Sequence, residues 1–300
     1  MSQVLAGWLS ASVSQTDDFP IESVPKKMIH IDGKSLRASR DGRSHSRSAL
    51  QIVTAYCSDT SISIGQELIE KKSCEKTAIP KLLKLLDLKD TVTTIDAIAT
   101  TKKNTEIICG KGGDYLLALK KNNKHFYLEV ETFFEHFGET SLIVDFFGTH
   151  DKAHGRFEYR VCKVISDLSY FPDAEGWKNL KSIICIESRR TLNGKTSNEN
   201  RFYLSSLEPN AKALGRAIRK HWTVENELHW SLDVSFNEDR CRIKDKNAAA
   251  NFAAVRRFAL ALLKNAKVSK LGIKNQRLQA AWDDQFLEQV FLFFQKNVIL

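Results

Sequence analysis

Three hundred residues with 42% hydrophobic content suffice for one large domain with an elaboration, or for two smaller domains. Forty-five Lys and Arg against thirty-six Asp and Glu leave a net charge of +9, which favours a polyanion such as nucleic acid over an acidic small molecule. The six cysteines contain no C-x-x-C pair and read as reduced thiols, and no stretch reaches the roughly 20 apolar residues that span a bilayer, so secretion and membrane insertion are both disfavoured.

In chain order, residues 3–13 predict a short helix and the polar, proline-bearing stretch that follows a linker, so that 1–27 stands apart. Met28 to Asp32 reads as a buried strand closing on Asp32-Gly33. Residues 49–57 and 61–65 form an antiparallel pair through a turn at Ser58-Asp59-Thr60. Pro80 opens a leucine-rich helix over 81–88, and Thr91 to Asp96 is a further short strand. A helix over about 101–110 leads through Gly110, Gly112 and Gly113 into a strand from Tyr115 to Lys120. That glycine loop lacks the spacing of a phosphate-binding P-loop and reads as a helix-to-strand turn. Next come an aromatic helix from His125 to Phe137 and strands at 157–165, 181–188 and 201–205, with an Asn193-Gly194 turn. Helical periodicity returns at 210–230 and at 247–264, the latter capped by Asp245 or Asn247, and again at 278–296. The class is α/β, a mixed sheet flanked by helices, with a β-rich insertion over 124–209 between core segments 28–123 and 210–265, and a helical tail at 266–300.

One acid stands out against this pattern. If Ala211 to Asp233 is an α-helix, each residue turns about 100°, and Leu214, Ile218, His221, Trp222, Leu228, His229 and Leu232 cluster around Glu225. A carboxylate on an inward stripe must be neutralised, paired or metal-bound, because an unpaired buried charge costs several kcal/mol. Arg219 and His221 are alternative partners for it. Asp32 and Asp96 each close an apolar strand, the place where sites form in open α/β sheets, although an Asp at a strand end is also a common turn former. Three such carboxylates brought together repel one another unless cations fill the space. Hard oxygen ligands suit Mg²⁺ or Mn²⁺, two of which, about 3.5–4 Å apart, promote phosphodiester cleavage. The approach is basic: residues 176–222 hold ten Lys or Arg and three acids.

The segments IHIDGKSLR at 29–37, TIDAIA at 94–99, YLLALKKNN at 115–123, HGRFEYR at 154–160, IRKHWTVENELHWSLDVSFNEDRCR at 218–242 and NFAAVRRFALALLK at 251–264 resemble, in the same order, the insertion-sequence transposases of the H-repeat-associated type. The resemblance covers most of the chain, and the block from His221 to Arg242 is its most specific part. It implies a ribonuclease-H-like catalytic core of the DDE superfamily, with Asp32, Asp96 and Glu225 as the three catalytic, metal-binding acids. It further implies cleavage of DNA that depends on Mg²⁺ or Mn²⁺, with two ions expected, and transfer of the resulting 3′-hydroxyl to target DNA.

Around these acids, Lys34, Arg37, Arg219 and Lys220 are candidates for phosphate contacts, as is Arg156 on the strand face that carries His154, Glu158 and Arg160. Solvated surface charge is the plain alternative for each. His221, Asn226, Glu238, Asp239 and Arg242 are expected to form a network behind the acids. Trp222 reads as core, while Trp230 is a candidate for stacking on a displaced base. The chain departs from the family pattern at Thr101 and Asn123, where glutamine is usual, and carries a shorter segment before the first acid. The expected partner is DNA, held by a homodimer or larger oligomer in the bacterial cytoplasm; the alternative is a truncated remnant that binds DNA without turnover.

Overall fold

The computed structural model describes residues 26–40, 49–69, 74–137, 142–153 and 156–296. The expected N-terminal helix, the linker before Lys26 and His154 lie outside these residues. The chain divides into two compact units, one built from residues 27–87 and from Trp222 onward, the other from Lys26 and residues 88–221.

The first unit contains three antiparallel strands, β1 (Lys27–Leu36), β2 (Leu50–Cys57) and β3 (Ile62–Ile69). Ser61, with φ 55°, completes the turn between β2 and β3. Asp32 lies in the middle of β1 rather than at its end, paired in register with Thr54, because pairing with β2 continues through Gly33 to Leu36. Helix α1 (Glu75–Leu85) begins six residues before the predicted start at 81, so Pro80 is inside it. Its first turn is set by Thr77, whose hydroxyl accepts the Cys74 N–H, and that local bond fixes the start despite the missing donor at Pro80.

The second unit is a mixed sheet. Here β4 (Thr91–Ile95) runs parallel to β5 (Asp114–Leu119), connected through α2 (Lys102–Gly110). After α3 (Lys124–Phe137), four antiparallel strands follow: β6 (Asp145–Ala153), β7 (Arg156–Ile165), β8 (Ser182–Leu192) and β9 (Lys195–Ser205). Strand β9 pairs with β5, so the inserted strands extend the β4–β5 sheet. Strand β6 is absent from the sequence expectations because DFFGTHDKA neither alternates nor forms an apolar run. Helix α4 (Ala211–His221) closes this unit.

A π-helical turn over Val224–His229 and α5 (Trp230–Phe236) return to the first unit. Helix α6 (Lys246–Asn265) follows, its N-terminus capped by Asp245, which accepts the Ala248 N–H at 2.8 Å. Ala249 and Ala253 of α6 pack on Leu36 and Ile52, while Leu260 joins Tyr56, Val224, Leu228 and Leu232. Each fully buried aliphatic side chain in such a cluster contributes about 1.5–3 kcal/mol. The predicted tail helix is two helices, α7 (Ile273–Trp282) and α8 (Asp284–Phe294), because Asp283 caps the second by accepting the Phe286 N–H.

Candidate active site

The π turn decides where Glu225 points. The Trp230 N–H bonds to the Glu225 carbonyl, five residues back, so one extra residue enters the turn and the helical face shifts by one position. Val224 and Leu228 therefore enter the core, and Glu225 is exposed, not at the centre of an apolar stripe. Trp222 is exposed too, against the expectation of core packing, as are Asn226 and Trp230. One turn after Glu225, His229 places its Nδ1 3.5 Å from Asp32 Oδ2. Asp32 and the Glu225 turn thus belong to neighbouring parts of the first unit.

Three polar assemblies support this region. Arg257 and Glu238 form a sealed pair at 2.8 Å, and Arg257 also donates through Nε to Thr54, the cross-strand partner of Asp32. Lys34 is buried, with its ammonium 2.6 Å from Asp233 and 3.4 Å from Asp239. Both carboxylates lie within ion-pair distance of its ammonium. Arg37 remains exposed, 3.3 Å from Asp239. Under the π turn, the Tyr56 hydroxyl donates to Glu227 at 3.1 Å, and Lys264 lies 3.5 Å from the same carboxylate. Burial raises the Tyr56 pKa above the usual phenol range; burial also lowers that of Lys264, against the opposing pull of Glu227. Arg242 is exposed.

In the second unit, Asp96 directly follows β4, and its side chain is half-exposed. Burial raises its pKa, but the Ala97 N–H, the Lys120 ammonium at 3.0 Å and His221 together outweigh that and hold the carboxyl below its usual range. His221 Nδ1 meets the Thr94 hydroxyl at 2.7 Å. Burial drives the His221 pKa down to about 4; Asp96 opposes the change and Lys120 adds to it, so the ring is neutral at pH 7. The loop after Asp96 is pinned by Asn122 to the Ala97 carbonyl and by Asn123 to the Thr100 carbonyl, while Thr101 caps α2 by accepting the Asn104 N–H. The two departures from the family pattern therefore have local structural work.

On the strand face expected to line DNA, Arg156 and Arg160 both pair with Glu158, and Asp151 bridges Arg160 to Arg219. Lys220 is partly buried. Much of the positive charge predicted for this face is neutralised within it.

The sequence profile of the transposase DDE domain matches residues 25–263. The chain belongs to that family. It is 39% identical over 272 residues to the H repeat-associated putative transposase YhhI of Escherichia coli K12, and equally so to the putative protein YbfL of the same strain; each match covers 88% of this chain and 71% of the relative. Among solved structures, the piggyBac transposase synaptic complex with hairpin DNA aligns with 90% of this chain and 53% of its own, at 10% identity and a TM-score of 0.48. That likeness is too distant to support further argument.

The metal expected of a DDE transposase can be tested against its donors. Among the described residues no three His, Cys, Asp or Glu side chains form a ready-made cluster. The carboxylates nevertheless suit a hard cation: Asp96 already attracts an ammonium at 3.0 Å, Asp32 attracts the His229 ring, and Glu225 is open to solvent. Sequence reasoning misses Lys120, Arg257 and Tyr56, and of these only Arg257 leaves a trace, as a charge on the α6 stripe of Ala249, Ala253 and Leu260.

Proposed function

We propose that this transposase-family chain is a DNA phosphoryl-transfer enzyme in which Asp32, Asp96 and Glu225 hold Mg²⁺ or Mn²⁺. The observation that carries the reading is the Asp32–His229 contact one turn from the exposed Glu225, which sets two of the three acids in neighbouring elements. When bound, two divalent ions supply the charge that activates a nucleophile and stabilises the leaving oxygen of a phosphodiester.

The protein's own groups prepare this chemistry. The backbone N–H of Ala97 and the Lys120 ammonium keep Asp96 ionised, so it is a ready oxygen donor at neutral pH. Neutral His221 anchors the strand end through Thr94 without adding a competing positive charge. His229 orients the Asp32 carboxylate. Arg37 and Arg219 are exposed enough to exchange Asp239 and Asp151 for DNA phosphates, and Trp222 and Trp230 offer ring faces to an unstacked base.

A nicking assay on supercoiled DNA tests the assignment. Cleavage should require Mn²⁺ or Mg²⁺ and should disappear in Asp32→Asn, Asp96→Asn and Glu225→Gln. Salt-sensitive DNA binding without metal-dependent nicking would instead identify a non-catalytic remnant.

A further inference from the structure

We propose that Lys34 is a positioning residue: its buried ion pair with Asp233 fixes the spacing between the strand carrying Asp32 and the helical turn carrying Glu225. This rests on the reading of those two acids as metal ligands.

The geometry is a two-rung ladder. Asp32 and Lys34 are two residues apart on β1, so their side chains share a face and stand roughly 6.5–7 Å apart along the strand. His229 and Asp233 are four residues apart, about 6 Å along the helical axis. The two spacings match, and both rungs are present: Asp32 to His229 at 3.5 Å and Lys34 to Asp233 at 2.6 Å. The second rung is the tighter, and Lys34 is almost wholly enclosed. Asn237, with φ 52°, then ends α5 in the left-handed conformation, and the turn that follows brings Asp239 to 3.4 Å from the same ammonium. One lysine therefore ties both α5 and the segment after it to β1.

That tie has a consequence for the acids. Carboxylates on Asp32 and Glu225 repel each other before any cation binds, and at 3.5 Å the Asp32–His229 rung is the longer of the two. The Lys34–Asp233 rung is a close ammonium–carboxylate contact at 2.6 Å with the lysine buried, so it holds the helix against that repulsion. Lys34 does its work through Asp233 rather than on substrate.

Mn²⁺ binding, measured by titration calorimetry well below the melting temperature, separates positioning from simple electrostatics. Removing a cation two residues from Asp32 should by charge alone tighten Mn²⁺ binding. Positioning predicts the opposite: Lys34→Met weakens it about tenfold, Asp233→Asn does likewise, the double variant is no worse than either, and Lys34→Arg retains affinity within about threefold. Asp233→Asn leaves the Asp239 contact in place and serves if Lys34→Met does not fold. Unchanged or tighter binding in the folded single variants would overturn the proposal. Asp32→Asn is run in parallel. If it binds Mn²⁺ as well as the parent protein, the metal-site reading fails, and the ladder is then judged by hydrogen exchange alone. Faster exchange over Val224–Phe236 in Lys34→Met, with α6 unchanged, supports the tie; equal exchange in both refutes it.

Discussion

Glu238 and Arg257 meet at 2.8 Å with both side chains sealed from solvent. The sequence places Glu238 in a supporting network, and its partner proves to come from α6, which also reaches Thr54 beside Asp32. Breaking a buried pair strands the remaining charge, and such losses cost about 3–5 kcal/mol. Arg257→Met should therefore lower stability by that amount in urea unfolding, and Glu238→Gln by less, because a glutamine oxygen can still accept from the guanidinium. A loss below about 1 kcal/mol in Arg257→Met would show that the pair contributes little.

His221 supplies a pH dependence. Its pKa in the fold is about 4 against an ordinary 6.5, so the unfolded chain takes up the proton first as pH falls. The stability contribution is complete above pH 6.5 and is lost on acidification toward pH 4. A tenfold difference in proton affinity between the folded and unfolded chain corresponds to about 1.4 kcal/mol, so roughly 2–3 kcal/mol should vanish across that window. Asp96, whose pKa is also depressed, adds a further loss below its ordinary 3.8. Metal-free protein unfolded in urea from about pH 7.5 to about pH 4 should show the first slope, and His221→Gln should flatten it. An unchanged slope in the variant would assign it to other groups.

Hydrophobic period and local punctuation carry what is legible in the sequence. The Val92–Ile95 run announces β4 and sets Asp96 at its end, and Asp245 caps α6. The limits have equally local causes. A wheel drawn at a constant turn of about 100° per residue cannot register a π turn, because the inserted residue is fixed by the packing of Val224 and Leu228 on Tyr56 and Leu260 rather than by propensity. Glu225 thus reads from the sequence as a buried acid, yet it is an exposed one. Lys34 reads from the sequence as a candidate phosphate contact or a solvated charge, because its acids are about two hundred residues away in sequence. No single-sequence pattern marks a contact of that separation.

Beneath the π turn, the Tyr56 hydroxyl contacts both Glu227 and Lys264, the latter at 3.4 Å. Tyr56→Phe keeps the ring in its cluster with Val224 and Leu228 and removes only the hydroxyl. Hydrogen bonds to charged groups contribute about 1.5–3 kcal/mol, but Lys264 and Glu227 can still pair across 3.5 Å. The expected loss is about 1–2 kcal/mol by thermal or urea unfolding. No loss would mean that packing alone retains the turn.

The loop Gly110 to Gly113 offers a graded test of its reading as a turn rather than a phosphate cradle. The Gly113 N–H is already bonded to the Ile108 carbonyl, and a Cβ on Gly113 would lie 2.6 Å from the Leu88 carbonyl oxygen, a backbone atom that cannot swing aside. Gly112 has φ 76°, where an L-residue is strained, although a Cβ there meets only the Lys89 side chain and backbone at ordinary distances. Gly110 is the last residue of α2, and a Cβ there meets nothing within 4 Å. Gly113→Ala should cost about 1–3 kcal/mol through overpacking. Gly112→Ala should cost about 1 kcal/mol through strain. Gly110→Ala should be neutral or stabilising by up to about 1 kcal/mol, since alanine is the better helix former. Urea midpoints should follow that order, with DNA binding of the folded Gly110→Ala variant unchanged; a loss of DNA binding in that variant would instead favour a phosphate cradle.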